Sequence, residues 1–109
     1  MDNLMNVMEA VALEIEIKSI DLKIEETIKD LRRYLACVDI VYAGDTIRDM
    51  ELINGLNEWI TKIYILTTEL KDIEYKAVKI QDMEIYFKCE QRICNLIQDM
   101  EYISNKYML

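Results

Sequence analysis

The side chains that could carry out catalysis are few. The chain contains no histidine, which excludes Ser-His-Asp triads, Cys-His dyads and the Glu-x-x-His metal sites of helical bundles. Neither of its two serines, Ser19 and Ser104, stands in a nucleophile motif. Cys89 and Cys94 are five residues apart, which fits neither a CxxC redox pair nor a zinc site, so we expect buried, inert thiols. These residue types predict a protein that is not an enzyme and that holds no cofactor or metal.

One basic cluster lies around a predicted turn. Arg32 and Arg33 precede the turn and Arg48 follows it. Arginines near a helix C-terminus are favourable there and form ion pairs with neighbouring acids, in this case Asp30 and Asp49. The same three guanidinium groups would also suit a phosphate or a carboxylate. The sequence therefore leaves open a pocket for a small anionic ligand, a nucleotide or metabolite, between two protomers.

Acidic residues outnumber basic ones by 21 to 13, and the formal net charge is −8. This balance repels nucleic-acid phosphates and anionic lipid head groups, so we expect no direct binding to nucleic acid or membranes. Asp2, Glu9 and Glu16 are spaced by seven residues and line one face of a predicted helix. Together with Glu14 they form a candidate surface for a protein partner, although a solvated helix face is the simpler interpretation.

The elements that position these residues are predicted to be helices. Leu, Ile, Met, Glu and Lys are abundant, while two glycines and no proline provide too few turn signals for a β-rich domain. Residues 11–24 also alternate with period two, but no hairpin turn divides them. Apolar residues recur at intervals of three and four. The first such stripe, opposite the acidic face, is formed by Leu4, Met8, Val11 and Ile15.

The clearest boundary in the chain is Gly44. A second apolar stripe runs from Ile20 to Tyr42 and stops before this glycine. Glycine often ends a helix because it adopts positive φ without a steric penalty, and Thr46 can cap a new helix. We therefore expect a single domain over residues 1–109, with helical halves at 2–43 and 46–106 and a turn at 43–46.

The second half is too long for a single rod in a compact chain. Unbroken, residues 46–106 would extend about 90 Å at 1.5 Å per residue. Asn54-Gly55 could interrupt this segment, and Thr67-Thr68 or Asp82 could cap a further helix. The sequence therefore leaves open whether residues 46–106 form one helix or two. The predicted fold class is all-α: an antiparallel bundle of three or four helices, at least one of them long, with coiled-coil-like packing in an oligomer.

The apolar content predicts self-association. Apolar residues make up 52% of the chain, which is more than a small bundle can readily hide. We expect a homo-dimer or a larger assembly held chiefly by the second half. The candidate oligomer seam consists of Ile73, Ile80, Tyr86, Ile93 and Ile97.

Three tyrosines share a helical spacing. Tyr64, Tyr75 and Tyr86 are eleven residues apart, which is three helical turns, so an unbroken helix would place them nearly on one line. They either edge the core or form an aromatic contact stripe.

Two short segments resemble known families. Residues 20–36, which begin Ile20-Asp21 and contain Arg32-Arg33, resemble the first helix of the small all-helical chorismate mutases, which are intertwined dimers. That resemblance implies an enzyme whose site includes a lysine soon afterwards, and residues 34–47 contain no lysine. Residues 42–44 between two helical halves resemble the turn of the WXG100 secreted hairpins, without its tryptophan. Tyr86 and Glu90 are spaced as in the export signal of that family.

A protein-binding function fits these observations best. We expect a non-enzymatic helical interaction protein, an oligomeric adaptor or inhibitor of another macromolecule, similar to the phage or viral accessory proteins that block a host enzyme. The alternative hypothesis is a protein that binds small anionic ligands, and the third hypothesis is an enzyme of the chorismate mutase type. The odd number of cysteines, three, fits a reducing cytoplasm, and no uncharged segment is long enough to cross a membrane.

Replacement of Gly44 tests the predicted boundary. If the turn at 43–46 requires positive φ at this residue, Gly44→Val should lower the free energy of unfolding by about 1 kcal/mol or more, because a branched Cβ is costly in that conformation. Urea denaturation followed by circular dichroism measures this effect. An unchanged midpoint would place the boundary elsewhere.

Overall fold

The computed structural model describes the backbone of residues 2–42 and 50–107 and the side chains of residues 4–38 and 53–107. Over these ranges the chain forms three helices: α1 (Asp2–Tyr42), α2 (Met50–Lys79) and α3 (Met83–Tyr107). The helices pack against one another as an antiparallel bundle, so the predicted all-α fold is confirmed. Gly44 and the predicted turn at 43–46 lie outside the described residues.

The long helix α1 sets the dimensions of the bundle. Its 41 residues correspond to about 60 Å at 1.5 Å per residue, which matches the longest dimension of the molecule, 62 × 19 × 18 Å. The radius of gyration is 17.5 Å, whereas a compact chain of this size has about 13 Å. Residues 11–24, which alternate like a strand in sequence, lie within this helix. The molecule is therefore an elongated rod formed by three helices packed side by side.

One contiguous apolar core runs along this rod. It takes the inward residues of all three helices, and α2 and α3 share the most extensive contact. Buried side chains recur at intervals of three, four and seven, as expected for a helix with one face in a core. The largest fully buried side chains are Ile17, Leu56, Ile63, Leu70, Ile73, Ile85, Leu96 and Ile103.

A short turn joins α2 to α3 and divides the second half of the chain. The amide of Asp82 donates to the carbonyl of Ala77 (2.9 Å), and that of Gln81 donates to Val78 (3.1 Å). This is the double hydrogen bond of a Schellman C-cap, with Gln81 in the left-handed conformation at φ 59°. Asp82 Oδ1 then accepts the amide of Ile85 (3.2 Å) and caps α3. Of the two predicted caps, Asp82 is therefore the one that starts a helix.

The other candidate breaks in the second half lie inside α2. The hydroxyls of Thr67 and Thr68 each donate to the carbonyl four residues earlier, at 3.0 and 3.1 Å. Gly55 is also helical, and it lies where α2 crosses Tyr34 of α1. A Cβ at Gly55 would stand 2.6 Å from Tyr34 Oη and 3.4 Å from Cζ. Glycine is needed here for close approach of the two helices.

This contact changes the effect expected of Gly55→Ala. Within a helix the substitution should stabilise by about 1 kcal/mol, but the new Cβ collides with Tyr34 Oη, and the Tyr34 ring is held beside Trp59 with centroids 6.3 Å apart. We expect Gly55→Ala to be neutral or destabilising in the native chain. In a Tyr34→Phe background, where the nearest atom is 3.4 Å away, it should stabilise.

A double-mutant cycle by urea denaturation measures this coupling. Equal effects of Gly55→Ala in the two backgrounds would show that Tyr34 does not restrict this position.

Candidate interaction surface

One face of α1 exposes a continuous row of apolar side chains, which we call the outer stripe. Its members are Leu4, Met8, Val11, Ile15 and Leu22. Each is between 54% and 67% exposed. They are separated by four, three, four and seven residues, so at 100° per residue they fall within about 60° of one another around the helix. Lys18 occupies the remaining position of this heptad pattern.

The outer stripe is not the face of α1 that joins the core. The buried residues of this helix are Leu13, Ile17, Ile20, Leu31 and Val38, and they lie on roughly the opposite side. Sequence spacing had placed the Leu4–Ile15 stripe inside and the acidic residues outside. The structure corrects this assignment: α1 is apolar on two opposite faces, and only the inner face is covered.

The N-terminal turns of α1 widen the apolar surface. All side chains from residue 4 to residue 9 are exposed, Ala10 packs partly against the core, and Leu13 is the first fully buried residue of α1. Met5 and Val7 flank the outer stripe on either side and are 64% and 58% exposed. Full burial of a side chain of this size stabilises by about 1.5–3 kcal/mol. A partner that covered the stripe and its two neighbours would therefore gain on the order of 10 kcal/mol from apolar burial. Contiguous apolar patches of this kind mark contact sites.

The acidic side chains along one edge of the outer stripe are paired within the bundle. Lys88 Nζ of α3 lies 3.0 Å from Glu14 Oε1. Arg92, also on α3, donates to both carboxylate oxygens of Asp21, from Nε at 2.5 Å and from Nη2 at 2.8 Å. Both cations have a raised pKa because they donate to these carboxylates. These contacts neutralise the edge and attach α1 to α3.

The described members of the predicted acidic surface lie on two different faces of α1. Glu14 points 140–160° away from Glu9 and Glu16 around the helix at 100° per residue, and it is bound by Lys88. Glu9 and Glu16 line a groove against Lys76 and Lys79 of α2. The side chain of Asp2 lies outside the described residues. The acids of α1 face the cations of their own bundle.

The described arginines of the predicted anion pocket do not converge. Arg32 and Arg33 are consecutive on α1 and point about 100° apart. Arg33 is weakly paired with Asp30 at 4.0 Å, and Arg32 acts electrostatically on Asp99 of α3. Arg48 lies outside the described residues. Among the described residues, these arginines do not define an anion site.

A further groove between α1 and α2 is open and mixed in charge. Its charged lining residues are Glu16, Lys23, Glu69, Asp72 and Lys76. Within it Lys76 pairs with Asp72 at 3.2 Å, and Lys23 lies 3.8 Å from Glu69. Charges that neutralise one another in this way do not select a ligand of either sign.

The residues proposed as an oligomer seam lie mostly within the chain's own core. Ile73 and Ile93 are 2% and 5% exposed, and Ile80 and Tyr86 are half-buried against that core. Ile97 is at the surface. The inward positions of α2 and α3 are thus covered by the folded chain itself. The outer stripe of α1, by contrast, is exposed along its whole length.

The spaced tyrosines do not form one line, because the turn at 80–82 separates them. Tyr64 and Tyr75 are exposed on α2, and the ammonium of Lys79 lies 4.6 Å from the Tyr75 ring centre. Tyr86 is half-buried on α3, and its hydroxyl donates to Glu90 Oε1 at 3.4 Å.

A pair of carboxylates between α2 and α3 was not foreseen. Glu74 faces Glu90, and Glu74 Oε2 is buried without a hydrogen-bond partner. Burial raises the pKa of Glu74, as do hydrogen bonding to Glu90 and the repulsion between the two charges. Both residues stand eight positions from Asp82, so their equal distance from this turn is the sequence signal that could have found the pair.

Of the two thiols expected to be buried, only Cys89 is. Burial, with the charge of Glu74 as a second cause, raises its pKa to about 11, so it stays protonated and unreactive. Cys94 and Cys37 are exposed; the expectation of burial is therefore wrong for Cys94. In the described part of the chain, His, Cys, Asp and Glu residues form no group that could hold a metal ion.

Comparison with protein-family models, curated proteins and solved structures finds no match to the chain. Within residues 2–42 and 50–107, none of the three helices combines the length and apolar character that a membrane span requires.

The Glu74–Glu90 pair predicts a pH-dependent stability. Because the folded state raises the pKa of Glu74 above its ordinary value of 4.5, ionisation of this group opposes folding at neutral pH, and that cost fades as the pH falls through the folded pKa. Glu74→Gln should raise the melting temperature at pH 7. The gain should shrink toward zero near pH 4.5. Glu101→Gln, at an exposed position of α3, is the matched control. A constant difference across the pH range would contradict this assignment.

Proposed function

We propose that this chain is a non-enzymatic helical interaction protein that buries the outer stripe of α1 against a helix of a partner chain. The exposed stripe on α1 carries the proposal. From Leu13 onward the inner face of the same helix packs against α2 and α3, so the central part of the outer stripe is presented on a preformed scaffold. Preorganisation of this kind lowers the entropic cost of binding.

The spacing of the stripe favours a helical partner. Intervals of four and three residues match the a and d positions of a coiled-coil heptad, whose side chains insert between those of a facing helix. Five of the six such positions between residues 4 and 22 are apolar, and the sixth is Lys18. A membrane surface is less suitable, because the net charge of −8 disfavours anionic lipids.

The same surface supports an adaptor or an inhibitor role. An adaptor would hold a partner on the outer stripe, while an inhibitor would cover a surface that the partner needs, as a phage or viral accessory protein does when it blocks a host enzyme. The exposed thiols of Cys37 and Cys94 fit the reducing cytoplasm. An anionic-ligand site receives no comparable support, since Arg32 and Arg33 diverge.

Site-specific photocrosslinking tests the proposal. A photoreactive amino acid at position 15, in the centre of the outer stripe, should form discrete protein adducts in a native lysate. The same group at position 64 is the control, because Tyr64 of α2 is 61% exposed and Ile15 is 63% exposed. We expect adducts at position 15 to exceed those at position 64 about tenfold.

The adducts at position 15 should also disappear when Val11→Glu is introduced one turn away. Equal labelling at positions 15 and 64, or labelling insensitive to Val11→Glu, would contradict a contact function for the outer stripe.

A further inference from the structure

We propose that the occupant of the outer stripe is a second copy of α1, antiparallel to the first, about a two-fold axis at the level of residue 13. This inference rests on the proposed contact function and names its partner. It moves the oligomer contact from the second half of the chain, where four of the five proposed seam residues lie in or against the chain's own core, to the exposed face of α1.

The spacing of the stripe is the same in both directions. With Lys18 included, the intervals from residue 4 to residue 22 are four, three, four, three and four. Reversing a second helix about residue 13 therefore places Leu4 against Leu22 of the partner copy and Val11 against Ile15 of the partner copy. Each a position meets a d position along about 27 Å of helix. A two-fold symmetric contact requires such self-complementarity.

Lys18 selects the antiparallel orientation. In a parallel pair, Lys18 would face the same lysine of the second copy, and two desolvated ammonium groups would repel each other. In the antiparallel pair it faces Met8 instead. The lysine stem can lie along the flexible methionine while its ammonium group reaches water. A single polar residue in a heptad seam commonly sets orientation in this way, at a cost in affinity.

The charges and the space beside the stripe allow this pairing. Glu14 and Asp21 on its edge are already neutralised by Lys88 and Arg92, so the two copies do not present bare carboxylates to each other. Helices α2 and α3 cover the opposite side of α1. A second α1 can therefore approach without displacing either helix, and the two bundles end up on the outer sides of the paired helices.

Sedimentation equilibrium of the whole chain tests the dimer. The wild type should sediment at twice the 13.0 kDa of one chain in the micromolar range. Val11→Glu with Ile15→Glu should weaken association by at least about 100-fold, since two apolar layers are lost and tenfold corresponds to 1.4 kcal/mol. Because both residues are more than half exposed in the bundle, helicity by circular dichroism should be unchanged. Tyr64→Glu is the matched control and should remain dimeric.

Lys18→Leu should strengthen the dimer. It should tighten association about tenfold, because an apolar layer replaces the lysine, and it should remove the preference for one orientation. Weaker association would contradict the assignment of Lys18 to the seam.

Disulfide crosslinking tests the orientation, with Cys37 and Cys94 replaced by serine. A mixture of Val11→Cys and Ile15→Cys chains should crosslink rapidly, whereas each variant alone should crosslink slowly. Faster crosslinking of Val11→Cys with itself would indicate a parallel pair and overturn the antiparallel assignment.

A dimer that survives Val11→Glu with Ile15→Glu would place the contact elsewhere. A monomer that still forms adducts with another protein through position 15 would refute the second-copy inference and leave the contact function standing. If the chain is a monomer and forms no adducts through position 15, both proposals are contradicted.

Discussion

The unequal lengths of the three helices determine the rest of the structure. α1 has 41 residues, whereas α2 has 30 and α3 has 25. Both shorter helices pack on the same side of α1, so they cover one of its faces and leave its first turns without neighbours. A helix that is apolar on two faces can satisfy only one of them in such a bundle. The exposed outer stripe follows directly from this geometry.

The architecture could be predicted from the sequence, but the orientation of α1 could not. The intervals of three and four residues correctly indicated helices, and Asp82, which caps α3, was one of the two cap positions considered for a further helix. On α1, however, Leu4 and Val11 recur with the same period as Leu13 and Ile17, and period alone does not say which set faces inward. What distinguishes the inner set is the core that packs on it: Leu13 and Ile17 contact α2 and α3. Lys88 and Arg92, more than 70 residues away in the chain, bind acids beside that face.

The polar side chains selected from spacing along one helix are arranged differently in the bundle for a related reason. Acidic residues counted along a single helix looked like a surface for a partner, yet several of them complement cations on the neighbouring helices. Consecutive arginines looked like a cluster, yet neighbours on a helix point in different directions. Conversely, the Glu74–Glu90 pair can be inferred from the sequence only once the turn at Asp82 is known, because both residues stand eight positions from it. Pairing across helices, rather than spacing along one helix, decides which polar groups remain available to a partner.

The order of the helices along the chain has a consequence for synthesis. α1 leaves the ribosome first, while the residues that cover its inner face are still being added. At about 5–20 residues per second, the 65 residues between Tyr42 and Tyr107 take roughly 3–13 s. During that interval both apolar faces of α1 are accessible to whatever is nearby, including the α1 of another nascent chain on the same message. The turn at Gln81–Asp82 is short, so α3 can pair with α2 as soon as it emerges. The inner face of α1 is then covered by both helices, and only the outer stripe stays exposed.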